Sequence, residues 1–177
     1  LNVVRKFKTP KELKDSGLET LNKVRGKLWE NARLIDLFIE ANPFGFTPEE
    51  LVIVKSWKHF VKDKFYAVKH AKNYTIFLDC GDPAKAYGVC SLITPLEDIL
   101  GPYLPVMVEA VLIPFKGRII YDGILRPYMV TFGGGIRRGF QENYQEAKAR
   151  LGIIESLPFV DENKEESDRD RLVRYLK

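Results

Sequence analysis

The chain has 177 residues, 45% of them hydrophobic and 29% charged, with a formal net charge of +4 and a pI near 9.0. That size and composition suit one domain, or one domain with a small helical attachment, and they exclude a disulfide-stapled miniature scaffold and a chain disordered beyond its ends. No apolar run is long enough to span a membrane; the longest, Val106 to Phe115, carries Glu109 and Pro114.

The charge is uneven. From Leu151 onward seven acidic residues face five basic ones, which leaves residues 1–150 with a formal charge of +6. A basic body favours an anionic partner, although ordinary solubility produces the same bias. Cys80 and Cys90 sit in apolar, strand-like runs and read as small buried hydrophobes in a reducing compartment, here the cytoplasm. His59 and His70 have no ligand-type spacing to either cysteine, so neither zinc nor any other cofactor is expected. The basic stretch Leu1 to Lys8 lacks the apolar core of a secretory signal. The chain opens on Leu1 and not on methionine, which points to trimming or renumbering.

In chain order, Thr9-Pro10-Lys11-Glu12 predicts a helix start, with Thr9 as cap and Pro10 in the first turn. Ser16-Gly17-Leu18-Glu19 repeats the signal, and Leu18, Leu21, Val24, Leu28, Ile35 and Phe38 then recur at helical spacing, predicting one amphipathic helix from Leu18 to Ala41. Asn42-Pro43-Phe44-Gly45 ends it, and Thr47-Pro48-Glu49-Glu50 starts a short helix. From Phe60 the period changes to that of strands. Phe65–His70, Tyr74–Cys80 and Ala86–Ile93 follow one another closely enough to predict an antiparallel meander, with Gly88 marking a bulge or a close approach. Thr94-Pro95-Leu96-Glu97 opens a helix that Gly101-Pro102 stops. Val106–Ile113 and Arg118–Leu125 read as a hairpin around Phe115-Lys116-Gly117, and Tyr128–Phe132 as a last short strand. A final helix is expected over Arg137–Arg150, closed by Gly152, then a charged linker over 161–171 and a terminal helical turn over Leu172–Leu176.

Helices, then strands, then a helix make an α+β arrangement: N-terminal helices packed on an antiparallel sheet or small half-open barrel of five or six strands, closed by a C-terminal helix. The expected division is a helical segment over 1–46, an α+β core over 47–158 and a charged tail over 159–177.

Three patterns carry chemistry. The stretch Lys55 to Tyr74 holds Lys55, Lys58, Lys62, Lys64, Lys69 and Lys72 against Asp63, with Trp57, Tyr66, Tyr74 and other rings interleaved. Nucleic-acid surfaces need cations for phosphates and flat rings for bases. A strand pair with its rings in a core and its lysines in water gives the same alternation. Gly133-Gly134-Gly135 leading into Arg137 and Arg138 can hold an anion on bare backbone N–H groups, but it matches neither a Walker A loop nor a dinucleotide fingerprint. Among the carboxylates Asp79, Asp82, Glu97, Asp98, Glu109 and Asp122, Asp122 at a strand end is the candidate acid, and Tyr121-Asp122-Gly123 reads equally as a turn.

The runs Leu112–Leu125 and Phe132–Ile136 resemble a group of prokaryotic proteins of unassigned function, over about Phe44 to Leu157. The resemblance implies a cytoplasmic prokaryotic protein and no particular activity.

The residues therefore lead to a non-catalytic binding module for RNA or DNA. Lys58, Lys62, Lys64 and Lys69 would meet phosphates, Tyr66 and Tyr74 would stack on bases, and Gly133, Gly134, Gly135, Arg137 and Arg138 would form a phosphate contact. Two alternatives remain open: an enzyme acting on a phosphate-bearing substrate at Gly133–Gly139 with Asp122 as its acid, and a protein-interaction domain using the N-terminal helix or the C-terminal tail. No membrane partner is expected.

Overall fold

A computed structural model describes residues 9–160. These residues form six α-helices and a six-stranded mixed sheet, an α+β fold. The chain divides into two compact units between Lys58 and His59, later than the expected boundary at Phe46. The helix over Pro48–Ser56 therefore belongs with the N-terminal helices. The terminal turn expected at Leu172–Leu176 lies outside the described residues.

The first unit contains α1 (Pro10–Asp15), α2 (Leu18–Glu30), α3 (Arg33–Ala41) and α4 (Pro48–Ser56). Thr9 caps α1 by accepting from the Glu12 N–H at 3.2 Å. Thr47 and Glu50 close a reciprocal capping box on α4, with Pro48 in its first turn. The single helix expected over Leu18–Ala41 is instead two, because Asn31 leaves helical geometry (φ −138°, ψ 82°). The apolar spacing continues across that break, which is why the period alone hides it. α3 ends on Asn42 in the left-handed region, and the Asn42 amide exchanges two hydrogen bonds with the Phe46 backbone at 2.8 and 3.0 Å. Phe38, Phe44 and Phe46 cluster around that turn with ring centroids about 6 Å apart.

The second unit is built on β1 (Val61–His70), β2 (Thr75–Asp79), β3 (Ala86–Cys90), α5 (Leu96–Leu100), β4 (Val106–Phe115), β5 (Arg118–Tyr121), β6 (Arg126–Pro127) and α6 (Gly134–Leu151). β1, β2 and β3 form the expected meander, and β4 returns to pair antiparallel with β1 from Val61↔Leu112 to Ala67↔Val106. Spatial order 4-1-2-3 is a Greek key. β5 follows β4 through Lys116-Gly117, both at positive φ (48° and 75°), the geometry a two-residue hairpin requires. β5 then lies parallel to β3 at Val89↔Ile119 and Cys90↔Ile120 and closes a five-stranded ring. The sheet is thus mixed, not purely antiparallel. β6 is two residues on β4, and the strand expected over Tyr128–Phe132 does not form.

The ring has two apolar faces. Inside it lie Phe65, Ala67, Phe77, Tyr87, Val89, Val108, Ala110, Leu112 and Ile119, plugged by Leu96 of α5. On its outer side Ile76 and Leu78 of β2 and Ala86 of β3 pack against Tyr144 and Ala147 of α6. Residues 75–78 of β2 are consequently buried at every position, where a one-faced strand would alternate. After α6 the chain adds to β3: the Gly88 N–H donates to the Ile154 carbonyl at 2.9 Å and the Ile154 N–H to the Ala86 carbonyl at 2.8 Å. Ile154 enters the inner core while Ile153 stays with the outer one. A Cβ on Gly88 would stand 3.1 Å from the Tyr74 ring and 3.2 Å from Ile153, so Gly88 marks the close approach that its place in the strand suggested.

At the other end of β2, the Asp79 carboxylate accepts from the Lys85 N–H at 2.8 Å and the Gly81 N–H at 3.2 Å, and so shapes the β2–β3 turn. Burial first, then the negative charges of Asp79 and Asp63, push the Tyr87 phenol far above its ordinary value. The unfolded chain ionises this tyrosine near pH 10 while the folded one keeps it neutral, so its stabilising contribution is complete below pH 10 and lost above it. We expect alkaline unfolding above pH 10 to be shallower in Tyr87→Phe, measured by denaturant midpoints at pH 8, 10 and 11. Equal pH slopes in the two proteins would contradict this.

Candidate nucleic-acid interface

The cleft with the most convergent chemistry lies at the end of the ring where β1 turns into β2. It holds about 310 Å³ and is bounded by the 71–74 turn, the segment 90–97 after β3, and Arg118 at the start of β5. Its base is fixed by His70. The Gly101 carbonyl only accepts, so His70 Nε2 donates to it at 3.0 Å; in the neutral ring Nδ1 then accepts the buried Thr75 hydroxyl at 2.9 Å. This ties the β1–β2 turn to the end of α5. Lys72 and Arg118 bring two exposed cations to the lining from distant parts of the chain, and neither has an ion pair among the described residues; Glu97 adds one carboxylate. Lys69, exposed on β1, stands just before the turn, and Lys116 just before Arg118.

Exposed apolar groups accompany these charges. Ile93 lines the cleft and is 95% exposed. Tyr103 is 86% exposed, two residues beyond the Gly101 carbonyl that His70 holds. Neither was singled out from the sequence. The readable signal for Tyr103 is its place between Pro102 and Pro105, where no strand or helix gives a ring a core to face.

The expected site residues have different surroundings. Lys58 belongs to the helical unit and pairs with Asp36 at 2.8 Å. Lys62 is exposed on β1. Lys64 is opposite Glu109 in register, and its ammonium lies 5.6 Å from the centre of the Tyr128 ring. Glu109 in turn accepts from the Tyr128 hydroxyl at 3.3 Å and stands 3.6 Å from Arg126.

The two tyrosines expected to stack on bases are engaged in packing. Tyr66 lies 4.3 Å from Phe140 and 5.8 Å from Phe132, ring centre to ring centre, which anchors the start of α6. Tyr74 packs on the outer core beside Gly88. Burial, followed by the Glu155 carboxylate near it, holds the Tyr74 phenol above its ordinary value. The cysteines also differ from expectation: Cys80 is exposed and Cys90 half-buried, each bonding a backbone carbonyl through its thiol.

Gly133 caps α6 with no side-chain bond, and Arg137 Nε donates to the Phe132 carbonyl at 3.0 Å, while Arg138 is exposed. A Cβ at Gly133, Gly134 or Gly135 would meet nothing within 4 Å, so packing requires none of these glycines. Asp122 makes the turn between β5 and β6: its N–H donates to the Val111 carbonyl at 3.0 Å and its carboxylate accepts from the Ile124 N–H at 3.4 Å. Among the described residues no three His, Cys, Asp or Glu side chains converge as metal ligands, and no helix is long and apolar enough to cross a membrane. A second cleft of about 290 Å³, between the β2–β3 turn and α6, is lined by Asp82, Asn143 and Glu146, the wrong sign for a phosphate.

Compared with family models, curated proteins and solved structures, the chain matches none of them.

The two sets of aromatics should separate in stability. Tyr66→Ala removes a packed ring and is expected to cost about 3 kcal/mol, whereas Tyr103→Ala should fall within about 0.5 kcal/mol of the parent. Chemical denaturation measures both, and a neutral Tyr66→Ala would mean that the ring does not anchor α6.

Proposed function

We propose that the chain is a non-catalytic module that binds RNA or DNA at the His70–Arg118 end of its barrel. The observation that carries the reading is the convergence of Lys72 and Arg118, neither ion-paired among the described residues, on one cleft with Ile93 exposed in its lining and Tyr103 exposed two residues beyond the Gly101 carbonyl that His70 holds. Cations meet phosphates, and exposed apolar or aromatic faces meet unstacked bases. Lys69 and Lys62 extend the positive charge along β1. The architecture supports the same reading by analogy. Five-stranded Greek-key barrels of the oligonucleotide- and oligosaccharide-binding type hold ligands at the strand 2–3 face and the loops joining strands 1–2 and 4–5. The cleft here involves the β1–β2 turn, the end of β3 and the first residue after the β4–β5 turn. Because a fold hosts many functions, the charged cleft carries the argument and the topology only favours it.

Each phosphate contact to a single strand adds about 0.7 to the slope of log affinity against log salt. The double variant Lys72→Ala/Arg118→Ala should therefore weaken oligonucleotide binding and lower that slope by about 1.4. Lys23→Ala, which removes a helix cation paired with Glu19 at 2.7 Å, should leave it unchanged. Salt titrations of a labelled oligonucleotide decide the matter. A slope unmoved by the double variant but lowered by Arg138→Ala would place the contact at the Gly133–Gly135 turn instead.

A further inference from the structure

Resting on that reading, we propose that the site takes only a short unpaired stretch of nucleic acid, about four nucleotides or fewer, because α6 occupies the face along which a longer strand would run.

The outer face of β2 and β3 is where a barrel of this type has room for a track of several nucleotides. In this chain Ile76, Leu78 and Ala86 on that face are each only 1% exposed beneath Tyr144 and Ala147. The cover is fastened at both ends. At the start of α6, Phe132 and Phe140 grip Tyr66 of β1. At its end, Ile154 is hydrogen-bonded into the edge of β3 and buried in the inner core. Gly88 removes the side chain that would otherwise hold Tyr74 and Ile153 away from the strand. Arg150 adds a bond from α6 to the Ala84 carbonyl at 2.9 Å. Opening this face would expose two apolar layers at once, so the helix is a fixed cover of that face and not a lid.

What remains open is the barrel end. Its cleft of about 310 Å³ lies at the small limit for ligand pockets and suits one or two nucleotides. Lys69 and Lys116 stand one and two residues from lining residues and Tyr103 two from Gly101, and contacts there would extend it by a similar amount. Barrels of this class cover about 4–16 nucleotides, so this chain belongs at the bottom of that range. Discrimination against duplex follows from the same groups. Ile93 and Tyr103 offer apolar surface to a base face, which a duplex keeps stacked inside itself.

The test is fluorescence anisotropy with the full chain and oligothymidylates and oligouridylates of two, four, eight and sixteen nucleotides, beside a blunt hairpin duplex. Affinity should climb from two to four nucleotides. Beyond four it should rise only by the number of registers available, and a sixteen-mer should accept about four copies of the protein. The hairpin should bind at least about tenfold more weakly than the tetramer. Affinity that keeps climbing to sixteen nucleotides with one copy bound, or equal binding of the hairpin, would overturn the short-footprint proposal while leaving nucleic-acid binding intact. Failure of every probe to bind at low salt would overturn the parent reading and this one with it.

Discussion

The second unit depends on the seam between β3 and the residues that follow α6. β5 reaches β3 at two residue pairs only, so the first half of β3 would be an open edge. Ile154 fills that edge with two backbone hydrogen bonds and an inward side chain. Each hydrogen bond contributes only about 1 kcal/mol, while burial of an isoleucine contributes about 1.5–3 kcal/mol, so the side chain outweighs the bonds that aim it. This return holds the end of α6, as Tyr66, Phe132 and Phe140 hold its start, and α6 covers the outer face of β2 and β3. Gly88 is the permissive element, since any side chain there would meet Tyr74 and Ile153 at once.

The cations differ in what surrounds them. Strand alternation sends Lys62 and Lys64 outward, and the bulge between Ala67 and Lys69 turns Lys69 outward as well, yet their surroundings differ. Lys64 lies beside Glu109 and over Tyr128, and Lys58 is paired with Asp36. Such exposed pairs are worth about 0.2–1 kcal/mol, too little to hold a lysine against a competing phosphate. Position matters more than pairing. Lys72 and Arg118 stand where turns leave a concave surface, so their fields add within one cleft, whereas the field of a lysine on a convex strand spreads into solvent.

Much of the architecture could be read from the sequence because local chemistry and global fold agree. Thr9 and Thr47 cap the helices they announce, and Lys116-Gly117 adopts the hairpin its residues suit. The meander of β1, β2 and β3 follows from short turns, which leave little choice of pairing. The parallel contact of β3 with β5 was not readable, because ring closure depends on shear and twist rather than on any residue pattern. The break at Asn31 was hidden by an apolar period that continues through it. The cysteines misled because an apolar run in a strand says nothing about where the strand ends: Cys80 follows the last residue of β2, and Cys90 is the last of β3.

Of the cleft's two cations only Lys72 lies in the basic stretch that the sequence brings forward, Arg118 does not, and the rings named from the sequence lie elsewhere for a geometric reason. An aromatic at an alternating strand position has a face of the sheet to bury itself against, and here both faces are covered. Tyr66 and Tyr74 are accordingly taken up by Phe140, Phe132 and the outer core. Tyr103 stands in a segment that prolines keep out of helix and sheet, and among the described residues its ring stays 86% exposed. The same logic applies to Ile93, which follows the end of β3 and precedes Pro95. In a small barrel with a helix across its outer face, aromatic content in the strands measures the core. The apolar surface left exposed beside the cleft is found where the chain turns.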